Sequence, residues 1–182
     1  MKDKIDIVVL WVDGSDPKFI LDKQTITGKI DASDHYSDGD MRYRDYGTLN
    51  YWFRMIENHA PWINQIFLIT NGQKPDWLNL EHPKLRWITH KEFMPEEYLP
   101  TYNSAAIELN FHRIEGLSEN YLYLNDDMYM IRDCSPSDFF KHNQPKLFAV
   151  YDAIVPWSPI TKTYLNNIEL IYRHFPNKVA MK

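Results

Sequence analysis

Ile5-Asp6-Ile7-Val8-Val9-Leu10-Trp11-Val12 is the stretch that most constrains the fold. It is almost continuously apolar and rich in branched residues, the pattern of a strand covered on both faces and hence of a parallel sheet between helices. Asp13-Gly14-Ser15-Asp16-Pro17 ends it with turn-forming residues. Asp6 stands out, because a carboxylate inside such a strand is costly unless it is paired. A wet strand edge and a functional partner both account for it.

The same pattern returns at Gln65–Thr70, closed by Asn71-Gly72, and more weakly at Leu85–Thr89. It appears again at Tyr121-Leu122-Tyr123-Leu124, which runs directly into Asn125-Asp126-Asp127. Between these runs the spacing turns helical. Pro17 to about Thr27 reads as a helix, and Thr48–His59, with Leu49, Trp52, Phe53 and Ile56 on one face, as a second that Pro61 stops. Asp31–Asp45 reads as a polar loop, and His90–Tyr102 as a loop with at most one helical turn. A helix is predicted from about Asn103 to Leu117, with Ile107, Phe111, Ile114 and Leu117 facing the core and Glu108 one turn before His112. Met128–Ile131 reads as a further strand. Ser135–Asp138 caps a short helix ending near Lys141, Lys146–Val150 reads as an edge strand, and Thr161–His174 as an amphipathic helix with Leu165, Ile168 and Ile171. Strands alternating with helices predict an α/β layer fold with a mostly parallel sheet, in one domain over residues 1–182.

Composition narrows the function. A formal net charge of -5 argues against nucleic acid as a partner, which needs a basic surface. The single Cys134 excludes an internal disulfide and fits a reducing compartment. No run is long enough to span a bilayer, and Asp3 and Asp6 spoil a signal-peptide reading of the start. The expectation is a cytoplasmic chain with no membrane anchor of its own.

If the strands run parallel, the loops after Val12, Thr70 and Leu124 open on one edge of the sheet and bring Asp13, Asn71, Asp126 and Asp127 together. Adjacent carboxylates where a buried strand surfaces repel each other unless a cation sits between them. Hard oxygen ligands of this kind suit Mg²⁺ or Mn²⁺, held by one or two carboxylates and completed by substrate phosphates. One Cys and scattered His cannot build a closed zinc site. No glycine-rich phosphate loop and no nucleophile elbow is present. Arg54 lies off the apolar stripe of its helix and reads either as a solvated arginine or as a cation for a phosphate. Glu108 and His112 read either as a surface pair or as part of the site.

Several segments together resemble one family. Ile5-Asp6-Ile7-Val8-Val9-Leu10-Trp11-Val12-Asp13-Gly14-Ser15-Asp16 resembles the first signature of the Stealth proteins, the bacterial capsular and exopolysaccharide phosphotransferases that also include the catalytic subunit of the animal lysosomal-enzyme N-acetylglucosamine-1-phosphotransferase. Residues 42–140 are similar to the second signature, from Arg42-Tyr43-Arg44-Asp45-Tyr46-Gly47 through Thr70-Asn71-Gly72 and Ile107-Glu108 to Asn125-Asp126-Asp127-Met128. The resemblance implies a Rossmann-like or GT-A-like nucleotide-sugar fold. It implies transfer of a hexose-1-phosphate from a UDP-sugar donor to a glycan acceptor hydroxyl with release of UMP, in association with membrane-bound polysaccharide machinery at the inner face of the membrane. Attack is then on phosphorus, where positioning and charge neutralisation do most of the catalysis. By the same resemblance Asp126 and Asp127 are the metal-binding acids, Asp6 and Trp11 lie near the nucleotide, and Arg54 and Arg113 contact phosphate. Glu108 and His112 orient the acceptor or support the metal site. Third and fourth family signatures, the third with a histidine expected in catalysis, have no match after Asp152, so residues 141–182 read as truncated relative to the family. Two other readings stand beside transfer of a sugar phosphate: a donor-binding module without turnover, and ordinary metal-dependent glycosyl transfer releasing UDP.

Overall fold

The structure is a computed structural model describing residues 4–27, 43–147 and 159–175. Four strands, β1 (Ile5–Leu10), β2 (Ile66–Thr70), β3 (Leu85–Thr89) and β4 (Asn120–Asn125), form one sheet in the order β3-β2-β1-β4. Every pair in it is parallel. The chain moves outward from β1 to β2 to β3, then returns to lay β4 on the free side of β1. That reversal opens a crevice between the carboxyl ends of β1 and β4, where Leu10 pairs with Asn125. The long apolar run at the N-terminus is thus a central strand, as its continuity predicts.

Alternate residues of β1 serve two cores. On one face Ile5, Ile7, Val9 and Trp11 meet Leu49, Trp52, Met55 and Ile56 of the helix α2 (Leu49–His59), which follows α1 (Pro17–Thr27). Trp52 is fully buried, and its truncation to alanine should cost about 3–5 kcal/mol. Its Nε1 also donates to Asn125 O at 3.2 Å, tying α2 to the end of β4. On the other face Val8, Phe67 and Ile69 pack against Phe93, Met94, Ile107, Phe111 and Ile114.

The segment before β4 departs from expectation. In place of one helix over 103–117 there is a five-residue helix, α4 (Ser104–Glu108), and a 3-10 turn at Phe111–Arg113; the preceding α3 (His90–Phe93) and a 3-10 turn at Glu96–Tyr98 make the 90–102 segment more turned than expected. Asn110 breaks the longer helix. Its side chain donates back to Ala106 O at 2.9 Å, competing with the backbone ladder, and Gly116 then takes φ +81. Ile107, Phe111 and Ile114 still face the sheet, so the apolar periodicity gave the right face and the wrong element.

Met128–Ile131 is not a strand; it is an irregular segment leaving the site, with Met130 packed against the α2 core. Past the short helix α5 (Pro136–Phe139), β5 (Phe140–Lys141) and β6 (Gln144–Pro145) form a small hairpin. Its turn places His142 and Asn143 at φ 52 and 61, the geometry of a tight two-residue hairpin turn. Of the expected edge strand, Lys146 and Leu147 are not extended into a ladder, and the rest lies outside the described residues, as does most of the 31–45 loop. The chain groups into two compact units, Met1–Lys146 and Leu147–Lys182. The second contains α6 (Pro159–His174), on which Leu165, Ile168 and Ile171 are exposed. Among the described residues no helix is long and apolar enough to cross a membrane.

Candidate functional site

At the mouth of the crevice β4 ends in a tight turn, with Met128 N donating to Asn125 O at 3.1 Å, and the turn carries Asp126 and Asp127. Asp126 is half-buried and Asp127 exposed. Burial, and then the charge of Asp127, push the Asp126 carboxyl up to about 6, and Asp45 adds to the effect. No basic side chain pairs with either carboxylate among the described residues. Further along the same edge, the Tyr123 hydroxyl donates to Glu108 Oε1 at 3.2 Å. Burial first, then the charges of Glu108, Asp126 and Asp127, hold the Tyr123 phenol well above its usual range. Glu108, Asp126 and Asp127 thus act on Tyr123, and Asp127 and Asp45 on Asp126.

The loop after β1 forms the other wall. Asp13 Oδ1 accepts from Ser15 N at 2.8 Å and Ser15 Oγ at 2.6 Å, which folds the Asp-Gly-Ser turn on itself. Gln73, from the loop after β2, clasps this turn. Its Oε1 accepts from Asp13 N, and its Nε2 donates to Asp13 O and to Asp16 Oδ2, each at 2.9 Å. That bond from Gln73, followed by the Lys18 N–H, holds the Asp16 carboxyl below the usual carboxylate range. Gly14 N donates to Tyr43 O at 2.8 Å, and a Cβ on Gly14 would collide with the Tyr43 backbone. Only glycine lets the two signature segments touch here. Trp11, Asp13, Asp16, Gln73 and Lys74 line an open hollow of about 360 Å³. Trp11 Nε1 is buried and has no hydrogen-bond partner among the described residues.

The other candidate residues do not all converge on this edge. Asp6 is a correction. It sits at the opposite, N-terminal end of β1, 1% exposed, accepting from Asn64 Nδ2 (2.7 Å), Gln65 N (3.0 Å) and Ser118 N (2.8 Å). With three protein donors at that end of the sheet it ties strand entries together and is not placed to meet a nucleotide. It is not at a wet edge either. Asn71 is exposed, and its Oδ1 caps its own turn by accepting from Gln73 N at 3.3 Å. Arg54 is exposed on α2 beside an apolar hollow formed with Trp77, Leu78 and His82, away from the acidic pair. His112 and Arg113 are exposed on the 3-10 turn. The helical break removes the one-turn alignment of His112 with Glu108.

Gln73, Tyr123 and Asp45 are the residues that the sequence did not flag. Gln73 follows Asn-Gly and reads as turn filler, and Asp45 is one of many acids in a polar stretch. Alternation along β4 held a signal for Tyr123. Leu122 and Leu124 pack on the α2 face, so Tyr121 and Tyr123 must face the side of α4, which carries Glu108.

The donor set suits a hard divalent cation in part. Asp126 and Asp127 supply carboxylates with no competing basic partner, yet among the described residues no three His, Cys, Asp or Glu side chains form a group that could hold a metal by themselves. A cation here would complete its shell with substrate phosphate oxygens and water, the habit of Mg²⁺.

Comparison with known proteins gives matches along most of the chain. Residues 3–31 match Stealth protein CR1, conserved region 1, and residues 42–148 match Stealth protein CR2, conserved region 2. A capsular polysaccharide phosphotransferase of Streptococcus thermophilus is 58% identical over 178 residues, covering 98% of this chain and 75% of its own length. An exopolysaccharide phosphotransferase of Lactiplantibacillus plantarum is 45% identical over 172 residues, 94% of this chain and 50% of its own. A receptor polysaccharide phosphotransferase of Streptococcus oralis is 39% identical over 182 residues, 99% of this chain and 55% of its own.

Proposed function

The chain belongs to the Stealth family, and from that membership we propose that it transfers a hexose-1-phosphate from a UDP-sugar to a sugar hydroxyl in capsular or exopolysaccharide synthesis. The observation that carries this reading is the Asp126/Asp127 turn at the β1/β4 crevice, without a basic partner among the described residues, beside the preformed loop that Gln73 clasps. In the reaction the acceptor oxygen bonds to the phosphorus that carries the sugar. The diphosphate bridge breaks, UMP leaves with the electron pair, and the acceptor proton is released.

Asp126 and Asp127 would hold Mg²⁺ or Mn²⁺. When bound, the ion neutralises the donor phosphates and the charge that builds on the leaving UMP. The remaining work falls to side chains. The walls of the hollow at Trp11, Asp13 and Gln73 receive the nucleoside end of the donor. Glu108 orients the acceptor hydroxyl. We place this chemistry in the cytoplasm, at the inner face of the membrane, where polysaccharide assembly machinery would receive the product.

Calorimetric titration with UDP-N-acetylglucosamine, with and without Mg²⁺, tests the reading. Wild type should bind in a metal-dependent manner, and Asp126→Asn/Asp127→Asn should not. Release of UMP identifies phosphate transfer, and release of UDP in its place identifies ordinary glycosyl transfer. The chain spans about half the length of several relatives. A second reading is a module that binds the donor without turnover. Metal-dependent binding with neither UMP nor UDP released would select it.

A further inference from the structure

Glu108 belongs to the acidic edge only because of how it is held. It is the last residue of the short helix α4, and just beyond it the chain breaks at Leu109 and Asn110. A carboxylate at the end of a five-residue helix, followed by a break, has little in its own backbone to fix its direction. One hydrogen bond to it is seen, from the Tyr123 hydroxyl to Oε1 at 3.2 Å, and Oε2 receives no protein donor among the described residues. The Tyr123 ring is in turn fixed. It packs edge-on against Phe111, with centroids 5.3 Å apart and planes at 72°, and it stands on the strand that ends in Asp126 and Asp127. A rigid ring thus carries a proton donor from the strand of the acidic pair to the carboxylate on the facing helix.

We propose that Tyr123 is a positioning residue for the transfer reaction, its hydroxyl fixing Glu108 at the acidic edge with Oε2 free to accept from a substrate sugar hydroxyl. The inference rests on the function proposed above. Burial, and then the charge of Glu108 beside it, keep the proton on the phenol, so it stays a donor to the carboxylate. Phenylalanine would keep the ring, its contact with Phe111 and the strand, and would remove only this bond. A loss of about 5- to 10-fold in rate corresponds to about 1–1.4 kcal/mol of barrier.

A double-mutant cycle on UMP release tests it, using Tyr123→Phe, Glu108→Gln and the double variant, with thermal unfolding of each in parallel. Tyr123→Phe should lower kcat about 5- to 10-fold with donor KM and Tm close to wild type. Glu108→Gln should lower kcat further, and adding Tyr123→Phe to it should change kcat by less than about 2-fold, because the phenol acts through the carboxylate. Independent, multiplying effects in the double variant would overturn the proposal while leaving the transfer reaction standing. So would an unchanged kcat in Tyr123→Phe, or a Tm loss that accounts for the lost rate. Absence of UMP release from wild type would overturn the transfer reading, and the positioning role with it.

Discussion

The two ends of one sheet treat the same side chain in opposite ways. At the entry edge Asp6 is buried, and both carboxylate oxygens are used, with donors from the chain before β2 and the chain before β4. At the exit edge Asp126 lies beside Asp127, with burial and like charge raising its pKa and no basic group paired with it among the described residues. Satisfaction by three N–H donors makes Asp6 a structural tie, since each donor left unpaired in the interior is costly. Dissatisfaction marks Asp126 and Asp127 as the proposed site, where a ligand of positive charge would relieve the repulsion that the fold leaves. A buried aspartate near a strand therefore says little by itself. The location of its donors decides whether it is structure or chemistry.

The comparison breaks most visibly if the exit pair is neutralised. Asp126→Asn/Asp127→Asn should abolish Mg²⁺-dependent donor binding and lower transfer by at least about 10²-fold, while thermal unfolding at neutral pH shows an equal or higher Tm. A Tm that falls sharply would mean that the pair is structural after all. Asp6→Asn should do the reverse. Its amide N–H₂ would face a backbone or side-chain donor, costing about 3–5 kcal/mol in urea unfolding, with activity per folded molecule near wild type. Next in size is Gly14→Ala, which forces Tyr43 away from the loop after β1. We expect a loss of about 1–3 kcal/mol, with donor affinity weakened alongside it in the same calorimetric titration.

The smallest effect lies in the pH dependence of stability. Asp126 has its folded pKa raised from 3.8 to about 6, so the folded state binds more protons across that window, and its contribution to stability falls as pH rises through it. His90, half-buried at the start of α3, is lowered by burial from 6.5 to about 4, so its contribution is present above 6.5 and is lost as pH falls toward 4. The two slopes oppose each other between about 4 and 6. Removing Asp126 as asparagine should make stability rise more steeply with pH there, and His90→Gln should flatten or invert the slope. Chemical unfolding at half-unit pH intervals reads both.

Much of this was legible in the sequence where one local rule sufficed. The strands around Val8, Leu68, Ile88 and Leu122, and the buried face of α2 at Leu49, Trp52 and Ile56, follow from periodicity alone. The Asp126-Asp127 turn follows from two acids ending an apolar run. What was not legible depends on partners far along the chain. Asp6 could not be read as a tie because its donors come from residues up to 112 positions away. Gln73 is named by its bonds to Asp13 and Asp16 and by nothing in its own neighbourhood. The break at Asn110 comes from a side chain choosing a backbone carbonyl over the ladder, which apolar spacing does not register. Hence the correct face and the wrong helix.

The strand order has a consequence in time. β1 is made before the other strands of its sheet, and β2 and β3 can pair alongside it once the chain has reached Thr89. β4, which completes the other flank of β1, arrives later and closes the longest loop in the sheet, a slow step in any folding reaction. It brings Asp126 and Asp127 with it. The repelling acids are thus kept out of the nascent core until the strands that must bear them are already in place, and a chain stalled before β4 is a half-sheet with an open edge at β1 and no acidic pair. Such an intermediate would be the species most exposed to edge-to-edge association.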